Sequence, residues 1–489
     1  MPTVGEVTPP EPDYTHKWRA FIALGISMVT AVMTMSMVFV ALAAIADDFE
    51  VTLRAVSWVV IVEALIISAL MLPMGRLADM VGRKRVHMAG LAVFGTGAAL
   101  TALAPTFGFL IAARAVMATG NAMTQSVGTA MVVAAFPPEE RGKAIGAQTT
   151  AVSIGGASGP IVAGLVLQVL PWEVLFMGVL IPVAVALVAA HRFLDERQVG
   201  GGVDNDGAAF DWGGALFSGT AVVVLVLTIN NPLRVDWISP LIIGGLVTVA
   251  ALLVQFVGWE LSRENPMLQL RLFRSRVFSL AVVTRLFGFM AITATRFLLP
   301  VHLLSLRGLA EGATGSLLFL ISLGMGISAS SSGRLSDRFG PRRFTVVGMT
   351  LVLATTSALM LTTRDTPLVL LAVTVFISGV AHGLWNVPNN STILGAAPAS
   401  SLGVVGAFTN LTRNLGNVFG QAIAAALVVG VMASQGFDIP LSAIAETAGA
   451  GAAFEDGWRA AYRVVTAAAA IALGLAVLTK PGLTRSARR

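Results

Sequence analysis

The stretch Gly75-Arg76-Leu77-Ala78-Asp79-Met80-Val81-Gly82-Arg83-Lys84-Arg85 returns later in the chain as Gly333-Arg334-Leu335-Ser336-Asp337-Arg338-Phe339-Gly340-Pro341-Arg342-Arg343. Each copy has a Gly, an Asp four residues on, a Gly three further and then a basic cluster, and each lies between long apolar runs. A pattern this dense points to two related halves, with equivalent loops on one side of a membrane.

Composition agrees with a membrane setting. Of 489 residues, 56% are apolar and 12% charged, against roughly 25% charged in soluble domains, and the mean hydropathy is +0.82. Apolar runs of about 20 residues recur from end to end, each long enough to cross hydrocarbon as a helix. Because the runs are continuous rather than alternating, porin-like strands are excluded. The absence of cysteine removes disulfides, thiolate metal sites and thiol nucleophiles. No His/Asp/Glu cluster has metal-ligand spacing, and no phosphate loop or nucleotide-binding domain is evident. Neither an enzyme nor an ATP-driven pump is expected, and no cofactor or metal; a proton gradient is the expected energy source.

Run length places fourteen spans at about 19–41, 57–75, 86–104, 108–135, 144–170, 172–191, 212–230, 238–259, 277–302, 313–333, 344–362, 367–394, 402–432 and 459–479. The fold class expected is all-α integral membrane. The chain divides into an N-terminal tail (1–18), a six-helix bundle (19–191), a polar linker (192–211) and an inserted helical pair (212–259). A connector (260–276), a second six-helix bundle (277–479) and a C-terminal tail (480–489) complete it. The linker holds Gly200-Gly201-Gly202 and Asp204-Asn205-Asp206. Trp237 and Trp259 sit where interfacial aromatics are expected. An even span count puts both ends on one side. With that side inside, inner loops and tails hold about twenty-two Lys or Arg, including Lys480 and Arg489, and outer loops about four, Arg54, Arg234, Arg307 and Arg364. Both termini are therefore expected in the cytoplasm of a multi-pass plasma (inner) membrane protein. The high pI reads as topology, and no nucleic-acid partner is expected.

Intramembrane charges carry the chemistry. Glu63 reads as the only acid well inside a span, about 6 residues or roughly 9 Å from its outer start. Arg114 lies at matching depth two spans later, which allows a pair that switches a proton site. Arg285 and Arg296, 11 residues apart, return to nearly the same helix face, and Arg413 sits mid-span. Helical spacing also groups Arg114, Asn121 and Gln125, then His382, Trp385, Asn386 and Asn389, then Asn414 and Asn417. Such polar stripes are expected to face a cavity, since lipid-facing polar groups are costly. His382 and His302 are candidate proton carriers.

With the doubled phrase, three further stretches carry a family resemblance. Leu110-Ile111-Ala112-Ala113-Arg114 with Gly120 is similar to a fourth-helix signature, and Gly155-Gly156-Ala157-Ser158-Gly159-Pro160-Ile161-Val162-Ala163-Gly164 to a fifth-helix antiporter signature. The Phe136–Lys143, Phe210-Asp211-Trp212 and Arg413–Gly416 stretches fit the same group. The chain resembles the major facilitator superfamily, and within it the fourteen-span drug:proton antiporters. The resemblance implies two six-helix bundles around a central cavity. Gly75, Asp79, Gly82, Arg83 and Gly333, Asp337, Gly340, Arg342 would then form conformational latches in which each Asp accepts from helix N-terminal amides and pairs with a neighbouring Arg. Gly155, Gly159, Pro160 and Gly164 would seal an antiporter helix. The sequence departs from the family at Thr34, where a helix-1 Asp is usual, and at Met117 and Ala118, where Gln and Gly are usual.

Three functions follow as expectations. The first is proton-coupled efflux of amphipathic compounds by alternating access, with Glu63 and Arg114 as the proton-coupling pair and Thr34 in the substrate cavity. The second is export or flipping of a lipid or organic anion held by Arg285, Arg296 and Arg413. From another class comes a non-transporting sensor or scaffold. The expected partners are substrate, protons and the bilayer, and a monomer suffices for each.

Overall fold

Every long apolar run folds into a helix, because in hydrocarbon a backbone must satisfy its own hydrogen bonds. The computed structural model describes residues 14–51, 53–56, 58–200, 210–231, 235, 239–263, 266–309, 311–398, 401–437, 444 and 447–479. Most of the N-terminal tail, Gly201-Gly202 with Asp204–Asp206, Arg234, Trp237, Lys480 and Arg489 lie outside the described residues.

Among the described residues fourteen helices have 19 residues or more. They are α1 Lys17–Asp48, α2 Trp58–Val81, α3 Arg83–Ala102, α4 Phe107–Ala134, α5 Arg141–Leu167, α6 Glu173–Phe193 and α7 Trp212–Asn230. The rest are α8 Pro240–Leu261, α9 Arg276–Val301, α10 Glu311–Phe339, α11 Pro341–Met360, α12 Leu368–Gly395, α13 Leu402–Ser434 and α14 Ala450–Leu478. Twelve are long and apolar enough to cross a membrane. The other two are α3, which opens on Arg83-Lys84-Arg85, and α4, which carries Arg114, Asn121 and Gln125.

Sequence and structure part at four helix ends. Helices α2 and α10 each run six residues past the expected end, into the two phrases as far as Val81 and Phe339. Helix α1 continues to Asp48. Helix α14 starts at Ala450 rather than near 459, because Arg459 pairs with Glu455 and Asp456 on its own first turns. Their mutual neutralisation lets a polar stretch stay helical.

Three apolar cores each lie within one half. Met37 to Val183 and Ala20 to Val199 supply two in the first half, and Phe289 to Ala476 one in the second, around Trp385, Phe454, Trp458 and Tyr462. Two further clusters join the halves. Ile67, Met71 and Ala122 meet Val404, Ala407 and Leu411, with Val222 of α7 and Phe256 of α8. Ala130 and Ile145 meet Phe278, Ala329 and Val405. The interface between halves is thus largely apolar, and the few polar contacts crossing it stand out.

Candidate functional site: crossed latches and a buried polar chain

The two phrases adopt the same local structure. Gly82 and Gly340 occupy the position before α3 and α11 with φ of +110° and +86°, a region glycine enters without steric cost. Gly75 and Gly333 allow close approach to the opposite half. A Cβ on Gly75 would lie 2.6 Å from the Ala407 Cβ on α13, and one on Gly333 2.1 Å from the Gly142 carbonyl oxygen on α5.

Those approaches let each aspartate cross to the other half. Asp79 accepts from the Gly403 and Val404 amides at 3.2 and 3.0 Å, in the first turn of α13. Asp337 accepts from the Gly142 and Lys143 amides at 2.8 and 2.9 Å, in the first turn of α5. A carboxylate there meets unpaired N–H groups and the positive end of the helix dipole. These two contacts tie the halves together at the end bearing the phrases.

The Arg partners differ. Arg83 pairs with Asp79 at 2.8 Å, both nearly fully buried, and also donates to the Val199 carbonyl at 3.1 Å. The matching position in the second copy is Pro341, and Arg342 does not pair with Asp337; it donates to the Val477 carbonyl near the end of α14 at 2.5 Å. Its counterpart Lys84 does the same for the last helix of the first half, donating to the His191 and Leu194 carbonyls. Arg342 is therefore a C-terminal cap of α14 rather than a latch partner.

Helix α5 packs on α1 through two of its three expected glycines. A Cβ on Gly155 would stand 2.7 Å from the Val29 carbonyl oxygen, and one on Gly159 1.9 Å from Ser36 Oγ and 2.5 Å from the Met33 carbonyl oxygen, whereas Gly164 faces open space and Pro160 is exposed. Gly164 is thus not part of that contact. Gly159→Ala is expected to cost about 1–3 kcal/mol by overpacking. Gly164→Ala should change stability by under about 1 kcal/mol, or raise it, through helix propensity. Thermal unfolding of the two variants in one detergent checks the contrast; equal losses would contradict it.

Glu63 and Arg114 do meet. Arg114 Nη2 donates to Glu63 Oε2, with both side chains buried. Arg114 also lies 5.7 Å from the Phe176 ring and 3.3 Å from Met117 Sδ, the residue standing where the family has Gln. From Glu63 the bonding continues. Asn121 Nδ2 donates to Glu63 Oε1 at 3.3 Å, Gln125 Nε2 to Asn121 Oδ1 at 3.0 Å, and Arg413 Nη2 to Gln125 Oε1 at 2.9 Å. Asn410 Nδ2 adds a second crossing to the Gln125 carbonyl at 2.9 Å. Five predicted site residues thus form one chain, from the buried carboxylate to a guanidinium in the other half.

The remaining polar residues gather in the second half. Arg285 donates to the Thr409 carbonyl at 3.0 Å and to Asn386 Oδ1 at 2.8 Å, and lies 4.9 Å from the Phe289 ring. His382 stacks on Trp385 at 5.8 Å, and Phe289 meets both rings edge-on at 5.3 Å. Asn389 donates to the Ala281 carbonyl and Asn417 accepts from Thr293, each joining α9 to a neighbour. Asn414 is half-buried. Thr34 is buried and donates to the Thr30 carbonyl of its own helix, so it joins none of these groups by a described hydrogen bond. His302 lies away from the chain, against Trp458 and hydrogen-bonded to Arg307.

One buried acid escapes sequence reading. Glu260, at the end of α8, is as buried as Glu63 and accepts from the Leu268 amide. Beside it Asp211 accepts from the Gly214 amide and from Trp259 Nε1 at 2.7 Å, so Trp259 serves a polar contact within the inserted pair. An acid directly after a span-ending Trp is the only sequence signal available. His87, buried against Ser27 at 3.2 Å, has none.

Comparison with known proteins agrees with this architecture. The family model described as Major Facilitator Superfamily matches residues 24–421. The riboflavin transporter RibZ of Clostridioides difficile (strain 630) is 29% identical over 83% of this chain and 87% of its own. Multidrug resistance protein Stp of Mycobacterium tuberculosis (strain ATCC 25618 / H37Rv) is 29% identical over 82% and 74%. Multidrug efflux pump LfrA of Mycolicibacterium smegmatis (strain ATCC 700084 / mc(2)155) is 25% identical over 97% and 91%. Among solved structures, the human organic anion transporter MFSD10 superposes with a TM-score of 0.63 at 16% identity, covering 94% of this chain and 100% of that one. The proton:xylose symporter XylE superposes with a TM-score of 0.60 at 13% identity, covering 93% and 95%. At such identities the likeness is one of fold. A doubled phrase with crossed contacts, a helical membrane fold and a family model spanning most of the sequence lead to one conclusion: the chain belongs to the Major Facilitator Superfamily, and is a multi-pass membrane transporter rather than an enzyme.

Proposed function

We propose that this transporter exports amphipathic small compounds in exchange for protons, by alternating access between two six-helix bundles. Fourteen spans, with α7 and α8 inserted between the bundles, and both termini cytoplasmic complete the reading, with the plasma membrane as its site. The bias of Lys and Arg towards the loops on the phrase-bearing side supports the orientation. The packing of α3 and α4 among helices that meet the membrane criterion supports the count. The likeness to the multidrug resistance protein Stp and the multidrug efflux pump LfrA supports efflux.

The observation that carries the coupling is the chain Arg114–Glu63–Asn121–Gln125–Arg413. A carboxylate taken from water favours its neutral form, and an adjacent guanidinium favours its charged form, so separating or joining the two moves a proton. Here Glu63 is joined to Arg114 and the phrase-bearing end is closed. A proton reaching Glu63 cancels its charge, releases Arg114 and weakens the bond from Asn121. The chain crosses to the other half at Gln125 and Arg413, so that loss biases the rocking of the halves. When Arg114 returns, the proton leaves to the other side.

In proteoliposomes an imposed pH gradient is expected to drive ethidium against its concentration gradient, and a protonophore to abolish that movement. Ethidium movement indifferent to both would rule out proton coupling.

A further inference from the structure

Two buried carboxylates on the inserted pair turn toward each other. Asp211 caps the start of α7 and Glu260 closes α8, and both residues are at least nine-tenths buried. Each spends one oxygen on donors. Asp211 Oδ1 accepts from the Gly214 amide at 2.9 Å and from Trp259 Nε1 at 2.7 Å, and Glu260 Oε2 accepts from the Leu268 amide at 3.1 Å. The other oxygen of each, Asp211 Oδ2 and Glu260 Oε1, is buried without a partner among the described residues. Both are aimed at one place. A Cβ on Gly214 would lie 2.5 Å from each, so the two oxygens are within about 5 Å of one another. Glycine at 214 keeps that place open.

An ionised carboxylate only accepts hydrogen bonds. Two such acceptors held together out of water repel each other, and each unbonded oxygen carries the cost of its lost hydration. The charged groups around the pair do not relieve it. Arg76 of α2 is within electrostatic reach of Glu260 but makes no described ion pair with either acid. Arg263, just after α8, sets its guanidinium over the Trp259 ring at 4.1 Å, and Arg271 and Arg274 of the connector are exposed. A single proton resolves the arrangement. A protonated carboxyl becomes a donor, and of two carboxylates sharing a buried site one keeps its proton. The two unmet acceptors then become one hydrogen bond.

We propose that Asp211 and Glu260 form a proton-binding site, with one proton held between Asp211 Oδ2 and Glu260 Oε1. No described hydrogen bond joins this site to the chain through Glu63. Its bond ties the start of α7 to the end of α8 and, through Leu268, to the connector. Val222, Phe256, Met267 and Leu268 of these segments pack into the cluster that joins the halves. The proton thus fastens the inserted pair where it touches both of them, and its loss, which leaves two charges in one buried place, weakens that fastening.

Asp211→Asn and Glu260→Gln test the site. An amide keeps a carbonyl oxygen for the existing donors and supplies a permanent N–H where the proton would sit. The full chain in detergent is read in two ways. In infrared spectra at about pH 5, the wild-type chain should show the C=O stretch of a protonated carboxyl that both variants lack; at about pH 8 the wild-type band should shrink. In thermal unfolding, the wild-type chain should lose several degrees against each variant as pH rises over the same range. The sign follows because unfolded carboxyls give up their protons near about pH 4, whereas the folded pair keeps one, so stability falls when the folded pair in turn gives it up. Matching spectra of wild type and both variants at about pH 5 would overturn the site. A difference in unfolding temperature that is the same at every pH would do so too. Sodium, exchanged for choline at about pH 8, should leave the wild-type unfolding temperature unchanged. A rise with sodium that Glu260→Gln does not show would mean that the two oxygens hold a metal cation and not a proton. Neither reading involves transport, so the site stands or falls apart from proton-coupled export.

Discussion

Replacing Asp79 and Asp337 together with alanine is expected to open the phrase-bearing end of the molecule. Each aspartate accepts two main-chain bonds across the interface. A hydrogen bond to a charged group contributes about 1.5–3 kcal/mol. Buried Asp79 thus favours closure by about 3 kcal/mol, on the order of a hundredfold, and exposed Asp337, for which water competes, by about 1–2 kcal/mol. The pair together holds about 4–5 kcal/mol, enough to turn a roughly 99:1 preference for closure into a preference for opening. With no native cysteine, spin labels at Arg85→Cys and Phe339→Cys, both exposed on the phrase-bearing end, report the distance directly. The double variant should shift the distribution to longer distances, with each single variant between. An unchanged distribution would mean the aspartates do not hold that end shut. Asp337→Ala is the cleaner single change, because Asp79→Ala also strips the buried Arg83 of its carboxylate.

Arg114→Leu is the second change with a large expected effect. It leaves Glu63 buried without its cation, and breaking a buried pair from one side costs about 3–5 kcal/mol. Glu63→Leu should cost as much for the mirror reason. The double variant is expected to recover most of the loss, because two well-packed apolar residues often match a buried ion pair in stability. Thermal unfolding in detergent gives the three values. If the double variant falls by the sum of the singles, the pair is not an energetic unit. Recovered stability without proton coupling would also separate the structural contribution of the pair from its transport role.

How far the sequence carried can be judged residue by residue. Helices were legible because hydrocarbon demands long apolar runs; the start of α14 was missed because local charge pairing there, at Glu455, Asp456 and Arg459, replaced apolarity. The Glu63–Arg114 pair was legible because depth along a span fixes which buried charges lie at one level. The partners of Asp79 and Asp337 were not. That they reach a helix N-terminus follows from their chemistry; that the helix belongs to the opposite half is a property of packing. Pairing with a neighbouring Arg held for Asp79 and failed for Asp337, because Pro341 stands where the guanidinium would be. Glu260 was overlooked because it sits at a span end, where an acid ordinarily meets water; the fold covers it with the connector that follows.

Proton exchange at Glu63 is tested most directly by trapping a pH-sensitive dye in proteoliposomes and following proton movement when a substrate gradient is applied. The wild-type chain should move protons opposite to substrate. Glu63→Gln should still exchange labelled for unlabelled substrate at equal concentrations, yet move no protons. Proton movement at the wild-type rate in Glu63→Gln would contradict the proposed exchange at this residue.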